Sequence, residues 1–161
     1  MVEYAAFHAH MVNLLALVED EDEHLAYHFH GVNCLAVLSV AVILWLLGWL
    51  WYSPFAFGKK WQALVPGPQG DKKKTMIAGM VMSLVGNILL CWVLDHACFK
   101  WGAQSFGKGL FVGFTLWMGF FAATAVPASV FEGRPFKLFA INQGYFLLAL
   151  MVGGGILTVW R

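Results

Sequence analysis

Charge is scarce in this chain: only 12% of its 161 residues are Asp, Glu, Lys or Arg, against 60% apolar ones. Four stretches, Val32–Tyr52, Thr75–Leu94, Gly109–Phe131 and Leu138–Trp160, hold no charged side chain at all. That excludes a water-soluble domain, because a chain of this length has too little interior to hide so much apolar surface. Cysteine is sparse too. Cys34, Cys91 and Cys98 are the only thiols, which excludes a disulfide framework as the source of stability. Cys91 and Cys98 on one helix would stand about 10 Å apart, beyond the disulfide limit near 7 Å. There is no P-loop, no G-x-G-x-x-G and no G-x-S-x-G, so no motif offers phosphate cradling or a nucleophile elbow.

What is present is length. Each uncharged stretch is at or above the roughly 20 residues needed to cross a hydrocarbon core of about 30 Å. Backbone polar groups in lipid must pair within their own segment, so uninterrupted runs predict helices rather than barrel strands. The expected fold is all-α: an integral membrane four-helix bundle over residues 31–161, preceded by an extension over 1–30. The lipid bilayer is then the first partner.

Positive charge sets the expected orientation. Lys59, Lys60, Lys72, Lys73, Lys74, Arg134 and Lys137 fall on one side, and Lys100, Lys108 and Arg161 on the other. Because Lys and Arg are retained in the cytoplasm, the Lys-rich loop is expected inside and both termini outside. The implied location is the cytoplasmic (inner) membrane, crossed several times. Trp49, Trp51, Tyr52 and Trp61 would form the inner aromatic belt, and Trp92, Trp101 and Trp160 the outer one. Lys72-Lys73-Lys74 beside a span reads as a topology or anionic-lipid signal, and no nucleic-acid partner is expected.

The first 30 residues lack a basic start and a small-residue cleavage pattern and carry the run Glu19-Asp20-Glu21-Asp22-Glu23, so they are expected to remain on the protein. Tyr4, Phe7, Met11, Leu14 and Val18 recur at steps of three and four, which predicts a short amphipathic helix lying on the bilayer or against a partner. Glu3–Ala16 also aligns with Glu23–Ala36 at an offset of 20 residues, both His-x-His pairs included. The extension reads as a duplicated run-up to the first span. Its histidines, His8, His10, His24, His28 and His30, lie beside the acidic run and offer imidazoles to zinc or copper. Residues two apart diverge on a helix, however, and 20 helical residues separate the two pairs by about 30 Å. Ordinary interfacial histidines are the first reading, and no cofactor is otherwise expected.

Two constellations fall within the spans. Ser83, Asn87, Cys91, Asp95 and Cys98 follow at steps of four, four, four and three, placing a polar stripe on one face of the second span. In lipid such a face turns inward to pack, extended by Gly79 and by Gly109, Gly113, Gly119, Ala123, Gly144 and Gly153 on other helices. A conduction path is the second reading. Asp95 and adjacent His96 diverge by about 100° and are expected near the water interface, which weakens a proton-relay or metal role with Cys91 and Cys98. Pro127 predicts a kink near Ala123, with Thr124 placed to satisfy the freed carbonyl.

From Val32 onward the motifs cohere. Val32-Asn33-Cys34-Leu35-Ala36-Val37 opens a helix and Trp51-Tyr52-Ser53-Pro54 closes it before Phe57-Gly58-Lys59; Phe131-Glu132-Gly133-Arg134-Pro135 and Lys137–Tyr145 follow later. Together they resemble the small bacterial membrane proteins grouped as domain of unknown function 1761. The resemblance implies a compact four-helix membrane fold and transfers no activity. Residues 1–31 depart from it.

Topology brings Trp51, Tyr52, Ser53 and Pro54 to the same membrane level as Glu132, Gly133, Arg134 and Pro135. Glu132 is within reach of Arg134, Lys137 or Lys59. With Asn142 and Gln143 this inner-face cluster is read first as a turn and interfacial anchor, and second as a head-group or substrate clamp. Three function classes follow. A structural or accessory subunit of a larger membrane assembly leads, binding other membrane subunits or itself. An oligomeric transporter or channel for a small solute or ion comes second. An enzyme acting on lipid or quinone comes last, because no acid, base and nucleophile set lies within the bilayer.

Overall fold

The computed structural model describes residues 32–65, 67 and 71–160. The amphipathic helix expected over Tyr4–Val18, the repeat and the N-terminal histidines lie outside those residues. Every regular element among the described residues is helical: α1 (Cys34–Trp51), α2 (Gly58–Gln62), α3 (Lys72–Lys100), α4 (Phe106–Leu116), a π-helical segment (Trp117–Ala122), α5 (Ala123–Phe131) and α6 (Phe136–Val159). Four helices, Cys34–Trp51, Lys72–Lys100, Phe106–Phe131 and Phe136–Val159, are long and apolar enough to cross a membrane. Leu35, Met82, Phe111, Phe120 and Val130 on them are 67% exposed or more. Water would charge about 25 cal/mol for each Å² of such surface, whereas lipid tails solvate it without that cost. This is a membrane protein.

The helices start and stop on local chemistry rather than at the edges of the apolar runs. Asn33 accepts from the Ala36 N–H, Asp71 from those of Lys73 and Lys74, and Ser105 from that of Lys108, each capping a helix start. At the other end Gly102 takes φ 62°, its N–H bonds the Phe99 carbonyl, and the Ala103 N–H bonds that of Cys98. This is the Schellman closure that a left-handed glycine permits. Between these caps α3 runs 29 residues, well past the expected Thr75–Leu94. Gly133, at φ 63°, closes α5 in the same way, with Gly133 N–H to Val130 and Arg134 N–H to Ser129.

α6 is the hub. Of its apolar window 44% is buried, against 17–28% for the other spans. The cause is Gly153-Gly154-Gly155. A Cβ on Gly153 would meet Leu44 of α1 and Leu94 of α3 at 3.2 Å, one on Gly154 would stand 2.5 Å from the Gly109 carbonyl oxygen of α4, and one on Gly155 would enter the Phe106 ring at 2.6 Å. Three neighbours therefore approach one short stretch of backbone. One turn away, a Cβ on Gly113 would lie 2.1 Å from the Leu150 carbonyl oxygen, so α4 and α6 touch main chain to main chain. Gly79 and Gly119, expected as packing surfaces, have nothing within 4 Å of a Cβ position, and Ala123 is exposed.

The third span departs from a simple proline kink. Its irregularity is the π segment before Ala123, whose N–H reaches the Met118 carbonyl. The Thr124 hydroxyl bonds the Phe120 and Phe121 carbonyls there rather than the Ala123 carbonyl that Pro127 frees. Ser129 donates to Ala125 at 2.7 Å.

Candidate functional site

The Asn33 amide donates to the Trp160 carbonyl at 3.1 Å, so the first span begins where the last one ends. At the opposite end, α1 runs into a tight connection. The Tyr52 N–H bonds the Gly48 carbonyl and the Phe57 N–H that of Trp51, while the Ser53 carbonyl accepts from both Ala56 and Gly58. Gly58 lies against this loop so closely that a Cβ would stand 2.2 Å from the Tyr52 carbonyl oxygen. The Phe57-Gly58-Lys59 motif is thus a steric requirement of the turn. The Phe57 ring sits 4.6 Å from Trp51, and α2 carries Trp61 back over the end of α6.

Asn142 gathers these aromatics. Its Oδ1 accepts from the Tyr52 hydroxyl at 3.2 Å and from Trp61 Nε1 at 3.0 Å, while Trp51 Nε1 donates to the Ile141 carbonyl at 3.0 Å. Three of the four residues expected as an inner aromatic belt are therefore hydrogen-bonded to α6; Trp49, 62% exposed, alone faces outward. Tyr52 lies just past the end of α1.

A second polar group sits deeper. The Tyr145 hydroxyl lies 3.2 Å from the Leu44 carbonyl and 3.4 Å from Asn87 Oδ1, sharing one proton between two acceptors. Trp45 Nε1 donates to the Met80 carbonyl and to Ser83 Oγ, both at 3.1 Å, and Trp117 Nε1 to the Gln143 carbonyl at 2.9 Å. The stripe on α3 is the buried face from Asn87 onward, through Cys91, Asp95 and Cys98; Ser83 at its start is exposed. Asp95 is only 6% exposed, not solvated at the interface as expected. The helix extends six residues past Leu94 before its cap, which keeps Asp95 and Cys98 in the helix packing. His96 is half-buried, with Nδ1 2.9 Å from the Trp92 carbonyl and its ring on Trp92.

The inner-face cluster divides in two. Glu132 pairs with Arg134, both about half exposed. With Asn142, Gln143 and Ser129 they line a recess of about 120 Å³. Tyr52, Ser53 and Pro54 line another cavity, of about 720 Å³, between α1 and α3. The clamp that would combine Glu132 and Arg134 with Tyr52 and Ser53 is thus split by Asn142. Two buried oxygens, Ser53 Oγ and Gln143 Oε1, have no hydrogen-bond partner among the described residues.

His8, His10, His24, His28 and His30 lie outside the described residues, among which no three His, Cys, Asp or Glu side chains are placed to hold a metal. Sequence reasoning missed the roles of Trp45, Trp61, Trp117 and Tyr145. The available signal was chemical: a Trp N–H or Tyr O–H buried in lipid needs an acceptor.

No curated protein and no solved structure matches the chain. Residues 35–158 match the family model described as "Protein of unknown function (DUF1761)". That stretch takes in nearly all of the four spans, with the Trp51–Lys59 connection, the Glu132–Pro135 turn and Asn142, and the chain belongs to that family.

Proposed function

We propose that the protein is a non-catalytic structural or accessory subunit of a larger membrane assembly. One observation supports this reading: two half-spans bury none of their own residues among the described ones, 72–86 of α3 and 117–131 of the third span. Both carry small side chains. Gly79, Gly86 and Gly119 have nothing within 4 Å of a Cβ position. Helices in lipid associate through such surfaces, because lipid offers no hydrophobic drive and close backbone approach is what remains. A neighbouring helix from another chain would complete them.

The proposed setting is a bacterial inner membrane, with both termini outside and the Lys59–Lys74 connection inside, supported by the distribution of Lys and Arg. Alkaline phosphatase fused at the C-terminus is expected to be active and a green fluorescent protein fusion dark; the reverse pattern contradicts this orientation. For the assembly itself, native purification in mild detergent followed by mass measurement is expected to give a foreign subunit in fixed stoichiometry. A bare monomer or homo-oligomer contradicts the proposal.

A further inference from the structure

The cavity of about 720 Å³ between α1 and α3 falls inside the roughly 300–1,000 Å³ of small-molecule sites. Its wall on α3 runs from Met76 to Asn87. At 1.5 Å of rise per residue that is about 16 Å, or half of a hydrocarbon core of about 30 Å. The cavity therefore occupies one leaflet. Trp45, Trp49, Phe55 and Trp61 supply aromatic surface, and Met76 and Met80 supply flexible thioethers that adapt to a bound chain.

Polar groups differ between its two ends. At the deep end, Trp45 Nε1 and the Tyr145 hydroxyl already donate to protein acceptors. At the boundary end stands Ser53, 8% exposed, which lines the cavity; its Oγ is buried with no partner among the described residues, and a turn about χ1 would present it to the cavity. A buried hydroxyl left unpaired costs free energy that an arriving donor or acceptor removes. None of the described residues lining the cavity is charged. That selects against a charged group inside it, since no counter-charge would offset its desolvation.

From this arrangement we infer that the cleft binds an uncharged amphiphile of one leaflet, an acyl or isoprenyl chain lying between α1 and α3 with its hydroxyl or carbonyl end on Ser53. The inference shares residues 76–86 of α3, Gly79 among them, with the assembly reading, but it stands on the cavity and on Ser53 rather than on subunit contacts.

The test uses the full chain in phosphatidylcholine nanodiscs, octadecanol carrying a mid-chain diazirine, photolysis and peptide mapping by mass spectrometry. Labelling is expected to concentrate on residues 45–53 and 76–83, to saturate, and to be competed by plain octadecanol. Ser53→Ala is expected to raise the half-saturating concentration about twofold to tenfold, the range of one net hydrogen bond. Gly79 lies on the wall with nothing within 4 Å of a Cβ position, so Gly79→Phe places a ring in the cleft without a backbone clash. That variant is expected to abolish cleft labelling while unfolding at the wild-type temperature; should it unfold earlier, Ser53→Ala decides. Labelling spread over outward residues such as Phe111 and Phe120 without competition would mean ordinary boundary lipid and overturn the site. Equal labelling by a diazirine phosphatidylcholine would overturn the uncharged class.

Discussion

The Oδ1 of Asn142 accepts from Tyr52 and Trp61, so Asn142→Leu removes one acceptor and strands two donors. Each stranded donor costs about 1–3 kcal/mol by soluble-protein measures, and hydrogen bonds in membranes average about 0.6 kcal/mol. The expected loss is about 1–4 kcal/mol, a fall of roughly 3–12 °C in Tm followed by tryptophan fluorescence in detergent. Gln143→Leu is the control. Trp117 bonds the backbone carbonyl of Gln143, and the Gln143 Oε1 is buried without a partner among the described residues, so this change is expected to be neutral or slightly stabilising. Equal losses for the two variants would remove Asn142 from its role. Glu132→Gln is expected to shift stability by less than about 1 kcal/mol and to leave assembly intact, because the pair with Arg134 is half exposed. A collapse in expression would instead make Glu132 a structural anchor. The sequence placed Asn142 and Gln143 together in one motif, yet nothing in two adjacent amides tells which one works through its side chain.

At the scale of elements, the contact between α4 and α6 rests on absent side chains. Gly113→Val would drive atoms into the Leu150 carbonyl, whereas Gly119, six residues on, has open space around it. Overpacking costs about 1–3 kcal/mol, and here the neighbour is backbone that has no rotamer to yield. Gly113→Val is expected to lower the yield of folded protein on size exclusion, and Gly119→Val to leave it unchanged; matching behaviour would contradict the crossing. The four spans were legible because lipid forbids charge in all of them. Their ends were less so. Asp71 and Gly102 set the ends of α3 beyond its apolar run, and hydropathy is blind to caps. The π segment Trp117–Ala122 was not legible at all, since an i→i+5 turn has no residue signature and Pro127 pointed one turn too late.

For the whole molecule, the stripe from Asn87 to Cys98 could be oriented from sequence, because in lipid the polar side is the inner side. The central position of α6 could not. Its apolarity resembles that of its neighbours, and only the juxtaposition of Gly153-Gly154-Gly155 with Leu44, Leu94, Gly109 and Phe106 makes it the hub. The division of the inner-face cluster was likewise hidden, since Trp51–Pro54 and Glu132–Pro135 both read as turns at helix ends, and neither motif says which cavity it lines. Every step from exposed Leu, Met and Phe side chains to half-spans awaiting a neighbour takes hydrocarbon as the solvent. An alkaline carbonate wash of membranes containing the full chain tests that most directly. The protein is expected to stay in the pellet and to enter solution only with detergent; release into the supernatant as a monodisperse, detergent-free species would contradict the account.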